Sequence, residues 1–183
     1  LNARGAGIFV TVNATDGTGR KTANIRSVRA LFVDLDGPPL EPVMAGPLAP
    51  HCTVQSSSGR WHAYWRVADC PLADFKPLQT ALAARFNGDA KVHDLPRVMR
   101  LPGFDHRKGE PCRARLLELH DAAPYSVAQV WAAFGFDAVS ATVVTLPTRK
   151  AVERAAKPVA PRQRRTLPQT ILGLAPYRPI PRR

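Results

Sequence analysis

Two carboxylates spaced two residues apart close an apolar run in Arg29–Gly37, RALFVDLDG. Ala30–Leu35 is apolar and β-favouring and reads as a buried strand. Side chains alternate along a strand, so Asp34 and Asp36 share one face while Leu35 takes the other. An unpaired buried carboxylate costs several kcal/mol, and two like charges this close push one pKa upward. A hard divalent cation, Mg²⁺ or Mn²⁺, relieves both problems by taking oxygen ligands from the pair. The plainer alternative makes Asp36-Gly37 the start of a solvated turn before Pro38-Pro39, with Asp34 as a cap. The spacing alone does not choose between them.

Two further stretches bear on that choice. Gly88–Gly109, GDAKVHDLPRVMRLPGFDHRKG, sets Asp89 and Asp94 among Arg97, Arg100, His106, Arg107 and Lys108, around a short apolar strand, Val98–Leu101. Surface ion pairing would account for such a mixture, and is worth little energetically. A cleft holding metal on one side and phosphates on the other needs the same mixture. In Trp61–Val67, WHAYWRV, one face carries Trp61, Ala63, Trp65 and Val67 and the other His62, Tyr64 and Arg66. The first face belongs to a core. The second is either a solvent-exposed sheet surface or a surface suited to anions and nucleotides.

The positioning elements follow from periodicity and turn chemistry. Ile8–Asn13 alternates as a strand and leads to a Gly-rich turn at Asp16–Gly19. Arg20, Lys21, Arg26 and Arg29 then precede the acidic strand, in a solvated or phosphate-contacting loop. Pro38–Pro50 reads as irregular. Cys52–Gln55 and Trp61–Val67 form a hairpin about Ser56–Arg60. Ala73–Phe86 has helical spacing of Phe75, Leu78, Leu82 and Phe86, with Pro77 in its first turn and Asn87-Gly88 as a C-cap. Arg113–Leu119 is a further strand, and Ser126 caps a last short helix, Val127–Phe134. Strands interleaved with two helices predict an α+β domain with a mostly antiparallel sheet.

Composition adds a partner class. The 183 residues carry a formal charge of +12, which favours a polyanion, nucleic acid or a membrane surface. From Leu146 onward ten basic residues face Glu153 alone, which is +9 of that charge, and seven of the 18 prolines fall there too. Residues 1–145 are therefore expected to form the domain, and 146–183 a basic, Pro-rich, disordered tail or linker. Cys52, Cys70 and Cys112 include no C-x-x-C pair, so neither a disulfide framework nor a zinc site is supported, and a reducing, cytoplasmic setting is expected. No apolar run reaches transmembrane length and no signal peptide is visible. The chain opens at Leu1 and enters a strand almost at once, so a preceding segment is expected.

An apolar strand followed by DLDG also opens the haloacid-dehalogenase-like phosphatases, whose last acidic motif Gly88-Asp89…Asp94 resembles. Pro38 departs from that pattern, and the 53 positions between Asp36 and Asp89 hold no room for successive parallel βαβ units. The stronger resemblance is to the archaeo-eukaryotic primase superfamily, specifically the RepB-type replication-initiator primases of plasmids, phages and integrated elements. Asp34-Leu35-Asp36 resembles their first motif, and SGRWHAYW (Ser58–Trp65) the Ser…His motif on a returning strand. Gly88-Asp89, followed by Arg97, Arg100-Leu101-Pro102-Gly103-Phe104 and Lys108, resembles the third.

The resemblance implies an RRM-like palm sheet with flanking helices. It makes Asp34, Asp36 and Asp89 the carboxylates for two divalent ions, and His62 the contact to the incoming triphosphate. Ser58 and Arg60 lie in the same motif, while Arg97, Arg100 and Lys108 would face phosphates or template. His106 stands where the family has Asn, and Asp94 is a second candidate for the third carboxylate. The implied activity is primer synthesis on single-stranded DNA from nucleoside triphosphates, with a helicase domain or protein as a common companion and no membrane partner. A non-catalytic single-strand-binding module is the alternative from another functional class.

Overall fold

A computed structural model describes residues 1–136. The expected tail, 146–183, lies outside the described residues. In chain order the strands and helices are β1 (Phe9–Thr11), β2 (Ala14–Thr15), β3 (Ile25–Ser27), β4 (Ala30–Asp36), α1 (Glu41–Met44), β5 (Cys52–Ser57) and β6 (Arg60–Arg66). They continue with α2 (Leu72–Arg85), β7 (Val98–Arg100), β8 (Asp105–His106), β9 (Cys112–Arg113), β10 (Arg115–Leu119) and α3 (Val127–Phe134). The main sheet has the order β10-β5-β6-β4, and every pairing in it is antiparallel. The architecture is α+β, as the patterning predicts, and the antiparallel sheet excludes a doubly wound phosphatase fold.

One face of this sheet carries the core. Leu31, Val33 and Leu35 of β4 and Ala63 and Trp65 of β6 are buried with Phe75, Leu78 and Leu82 of α2 and Val130 of α3. The Trp65 ring stacks on Phe86 with centroids 5.7 Å apart and meets Phe134 edge-on at 5.8 Å. Its indole N–H donates to the Leu48 carbonyl at 3.0 Å, so burying the ring strands no polar group. The other face carries Asp34, His62 and Tyr64. A two-stranded ribbon, β1 with β7, lines cavities in common with that face. His62 is only 5% exposed as a result, which excludes the open, solvated sheet face. The pairing of Phe9 with Arg100 joins residues about ninety positions apart and leaves no local trace in sequence.

The helices end where their sequences say they should. Ser126 Oγ accepts from Gln129 N–H at 3.1 Å, and Gln129 Oε1 accepts from Ser126 N–H at 2.8 Å, a complete capping box on α3. At the end of α2, Asn87 takes the left-handed conformation, φ 53°, which Asn tolerates better than most residues. Gly88 N–H then bonds to Ala83 C=O at 2.8 Å, and Asn87 N–H to Ala84 C=O at 3.4 Å, closing a Schellman cap. Some details differ from expectation. Pro77 is the sixth residue of α2, beyond the first turn, so the helix gives up the bond Ala73 C=O would accept. A four-residue helix, α1, interrupts the Pro-rich loop, and Arg113–Leu119 is broken at Ala114 into two strands.

β4 lies at the sheet's edge, where unpaired backbone groups are a liability. The fully buried Gln79 of α2 meets this need. Its Oε1 accepts from Phe32 N–H at 3.2 Å, and its Nε2 donates to Phe32 C=O. One side-chain amide thus replaces a missing neighbouring strand. Gln79→Leu would leave both backbone groups buried without partners and should lower folding stability by ~2–4 kcal/mol. A urea midpoint equal to wild type would count against this role for Gln79.

Candidate functional site

The register of β4 against β6 sets the site. Asp34 lies opposite His62, and Asp36 opposite Arg60. Both pairs fall on the face turned away from the helices, where Asp34, Asp36, Arg60 and His62 line a cavity of about 150 Å³ with Arg100 of β7 and His106 of β8. Six predicted residues therefore meet in one concavity. Lys108 and Ser58 line an adjoining cavity, again with Arg60 and His106. Ser58 sits at the exposed hairpin tip. The buried Ser56 and Ser57 line the main cavity instead, as do Phe9, Val98 and Met99. None of these five was singled out by sequence, because their part in the cavity depends on the β1–β7 ribbon and on hairpin geometry.

Asp89 does not line the cavity, but it is tied to Asp34 through the main chain, and its charge acts on the Asp34 carboxyl. Its N–H donates to Asp34 C=O at 2.9 Å, and its Oδ1 accepts from Lys91 N–H at 2.8 Å. Gly88 makes this approach feasible. A Cβ there would lie 2.4 Å from Val33 Cγ2 and 3.0 Å from Asp34 O, closer than side chains pack. Asp94 and Arg97 are paired with each other, and Arg97 also donates to Lys91 C=O at 2.6 Å. Neither lines the cavity, although the Arg97 charge acts on Asp34.

The site is electrostatically divided. Burial, then the charges of Asp36 and Asp89, push the Asp34 carboxyl up from its ordinary 3.8 to about 6, against the pull of Arg97 and Arg60. Asp36 pairs with Arg60 at 2.6 Å. His62 Nε2 lies 3.7 Å from Asp34 Oδ1. Burial, helped by the Arg100 charge, holds that imidazole down at about 4, so it is neutral at physiological pH. Arg100 stacks over the Phe9 ring, 4.9 Å from its centroid. Burial lowers the His106 pKa, as do the charges of Arg100, Arg60 and Lys108, which places His106 among three cations.

Such a cavity can take a polyanion on its basic side and a cation on its acidic side. Among the described residues no three His, Cys, Asp or Glu side chains converge closely enough to cage a metal ion. The chemistry of the donors nonetheless suits a hard divalent ion. Asp34 is a half-buried carboxylate whose charge is opposed by burial and by two neighbouring carboxylates, and a bound cation would relieve all three effects.

Comparison with known proteins identifies a family. Residues 14–131 match the family described as the RepB DNA-primase N-terminal domain. The AEP domain of the primase-polymerase of cyanophage S-2L is similar over 70% of this chain and 70% of its own, with 25% identity and a TM-score of 0.58. The catalytic domain of primase RepB′, solved in complex with initiator DNA, is 20% identical over 84% of this chain and 70% of its own, with a TM-score of 0.49. No curated protein matches the chain. Among the described residues no helix is long and apolar enough to cross a membrane.

The raised Asp34 pKa has a testable sign. The folded state holds this proton more tightly than the unfolded state, so protonation favours folding. The Asp34 contribution to stability should fall as pH rises from about 4 to about 6, while His62, with its lowered pKa, contributes the opposite trend over the same window, so the sign is read from the difference between wild type and an Asp34 variant. In metal-free buffer at neutral pH, Asp34→Asn should therefore be more stable than wild type, by ~1–2 kcal/mol. Thermal melts across this range would show the gain vanish below about pH 4. A less stable variant at neutral pH would contradict the assignment.

Proposed function

Because the chain belongs to the RepB DNA-primase N-terminal domain family, we propose that it synthesises short primers on single-stranded DNA by nucleotidyl transfer from nucleoside triphosphates. The observation that carries this reading is the meeting of the Asp34–Asp36 carboxylates with Arg60, His62, Arg100 and His106 in one cavity. Primase-type function follows from the family. The chemistry, partners and setting are our own reading: replication of a plasmid, phage or other mobile element in the cytoplasm, with a helicase domain or protein as companion.

In this reading Asp34, Asp36 and Asp89 hold two Mg²⁺ or Mn²⁺ ions. Bound there, the ions would supply positive charge opposite the charge that develops on the attacking and leaving oxygens. The chain's own residues supply position. Arg60, Arg100 and Lys108 surround His106 and would bind the β- and γ-phosphates, favouring a triphosphate over shorter esters. His62 is neutral and buried, so it would act by hydrogen bonding rather than by carrying charge. Arg97 lies outside the cavity lining and acts on Asp34 by its charge, so it would tune Asp34 rather than hold a phosphate; Asp89, whose charge also acts on Asp34, is the third carboxylate of this reading.

The deciding experiment supplies single-stranded template and labelled nucleotides with Mg²⁺ or Mn²⁺, or with chelator. Wild type should make oligonucleotides only with metal. Asp34→Ala and Asp89→Ala should each reduce synthesis by roughly 10²-fold or more while leaving template binding nearly unchanged. Wild-type levels of synthesis in either variant would exclude that carboxylate. The cations grouped about His106 (Arg60, Arg100 and Lys108) also suit a second reading, a non-catalytic single-strand-binding module. It predicts tight, strongly salt-dependent binding with no synthesis under any metal.

A further inference from the structure

Tyr64 has no part in the reading above, yet it touches the site's most buried polar side chain. It lies two residues beyond His62 on β6, and strand alternation puts both on the same face. The Tyr64 hydroxyl lies 3.1 Å from His62 Nδ1, and the rings meet edge to face with centroids 6.1 Å apart at 87°. On the other side of the imidazole, Nε2 lies 3.7 Å from Asp34 Oδ1, within the cavity shared with Asp36, Arg60 and Arg100.

A neutral imidazole carries one N–H, and the bond made by one nitrogen decides which nitrogen holds it. Among the described residues, His62 Nδ1 is the Tyr64 hydroxyl's only hydrogen-bond partner. Were the hydrogen on Nδ1, that nitrogen would donate to the phenol oxygen and leave the phenol's own O–H without an acceptor. Donation from Tyr64 O–H to Nδ1 satisfies both groups and leaves the ring hydrogen on Nε2, beside Asp34. The Asp34 carboxylate, 3.7 Å from Nε2, favours the same outcome, since it attracts a hydrogen there and repels a lone pair.

We propose that Tyr64 is a positioning residue: its hydroxyl at Nδ1 fixes the His62 ring hydrogen on Nε2, so that the imidazole offers a donor to a phosphate oxygen of the bound nucleotide. This role rests on reading the cavity as a nucleoside-triphosphate site. The opposite tautomer would turn an Nε2 lone pair toward both the Asp34 carboxylate and the phosphate, and so repel both. Held between phenol and carboxylate, the ring also has one orientation rather than two. Phe32 packs against Tyr64 with ring centroids 6.1 Å apart, so Tyr64→Phe keeps the aromatic contact and removes the hydroxyl alone.

Two measurements on the full chain test this. Long-range ¹H–¹⁵N spectra of the histidine rings, with the His62 signals assigned by their loss in His62→Ala, should show the wild-type hydrogen on Nε2. A hydrogen on Nδ1 would overturn the proposal without recourse to any variant. In steady-state primer synthesis, Tyr64→Phe should raise the KM for nucleotide about 10-fold while changing kcat much less. In a His62→Ala background the same substitution should be silent, because its target is gone. Equal losses in both backgrounds would overturn the positioning role. Absence of synthesis by wild type would remove the nucleotide role along with the reading it rests on, whereas the spectrum reports the tautomer independently.

Discussion

The hydrogen bond from Asp89 N–H to Asp34 C=O is the joint on which the acidic side of the site depends. It ties the end of the buried strand to the loop that leaves α2, two segments that share no local sequence relation. Three features make it feasible: Asn87 in the left-handed conformation, the Schellman bonds that end the helix, and a glycine where any Cβ would strike Val33. Asp89 is therefore delivered by backbone geometry, and its carboxylate gains its place through main-chain bonds rather than through a side-chain partner. The glycine is what this geometry demands, and the residue after it is the one brought against Asp34.

Around that joint, charge is arranged in two halves that do not cancel. Asp34 is held where burial and two like charges oppose its ionisation, while Arg60, Arg100 and Lys108 crowd His106 from the other side. Some opposite charges do pair, Arg60 with Asp36 and Arg97 with Asp94. What stays unbalanced is the centre, where a half-buried carboxylate faces a neutral imidazole. An arrangement of this kind opposes ionisation of Asp34, and the proposed nucleotide with its cations would relieve it. Function and instability thus share an origin here.

Much of this was legible in the sequence, and the reasons are specific. β4, the β5–β6 hairpin, α2 with its Asn-Gly cap and α3 with its Ser cap are specified by local pattern: an apolar run, an alternation, helical spacing and capping residues. The acidic pair on one face followed from strand geometry alone. What escaped was non-local. The β1–β7 pairing joins residues about ninety positions apart, and it turns the His62 face from open surface into a cavity wall. The pairing of Asp94 with Arg97 depends on rotamers that composition does not encode. The contributions of Ser56, Ser57 and Phe9 depend on which surfaces meet across the cleft. Periodicity identifies faces, but only the folded chain says what covers them.

The helix α2 also acts as a ruler. Near its middle Gln79 is pinned to β4 at Phe32, and at its end Gly88 is pinned against Val33 and Asp34. The rise between the two anchors must match the rise of the strand they grip, and each added or removed residue would turn everything beyond it by about 100°. An insertion between these anchors would swing Asp89 away from Asp34 even if every side chain were kept. Length variation in relatives of this chain should therefore collect before Pro71 or after the Asp94–Arg97 pair, leaving the count from Gln79 to Asp89 unchanged. The spacing between a buried amide and a loop carboxylate is then as much a part of the site as the carboxylates themselves.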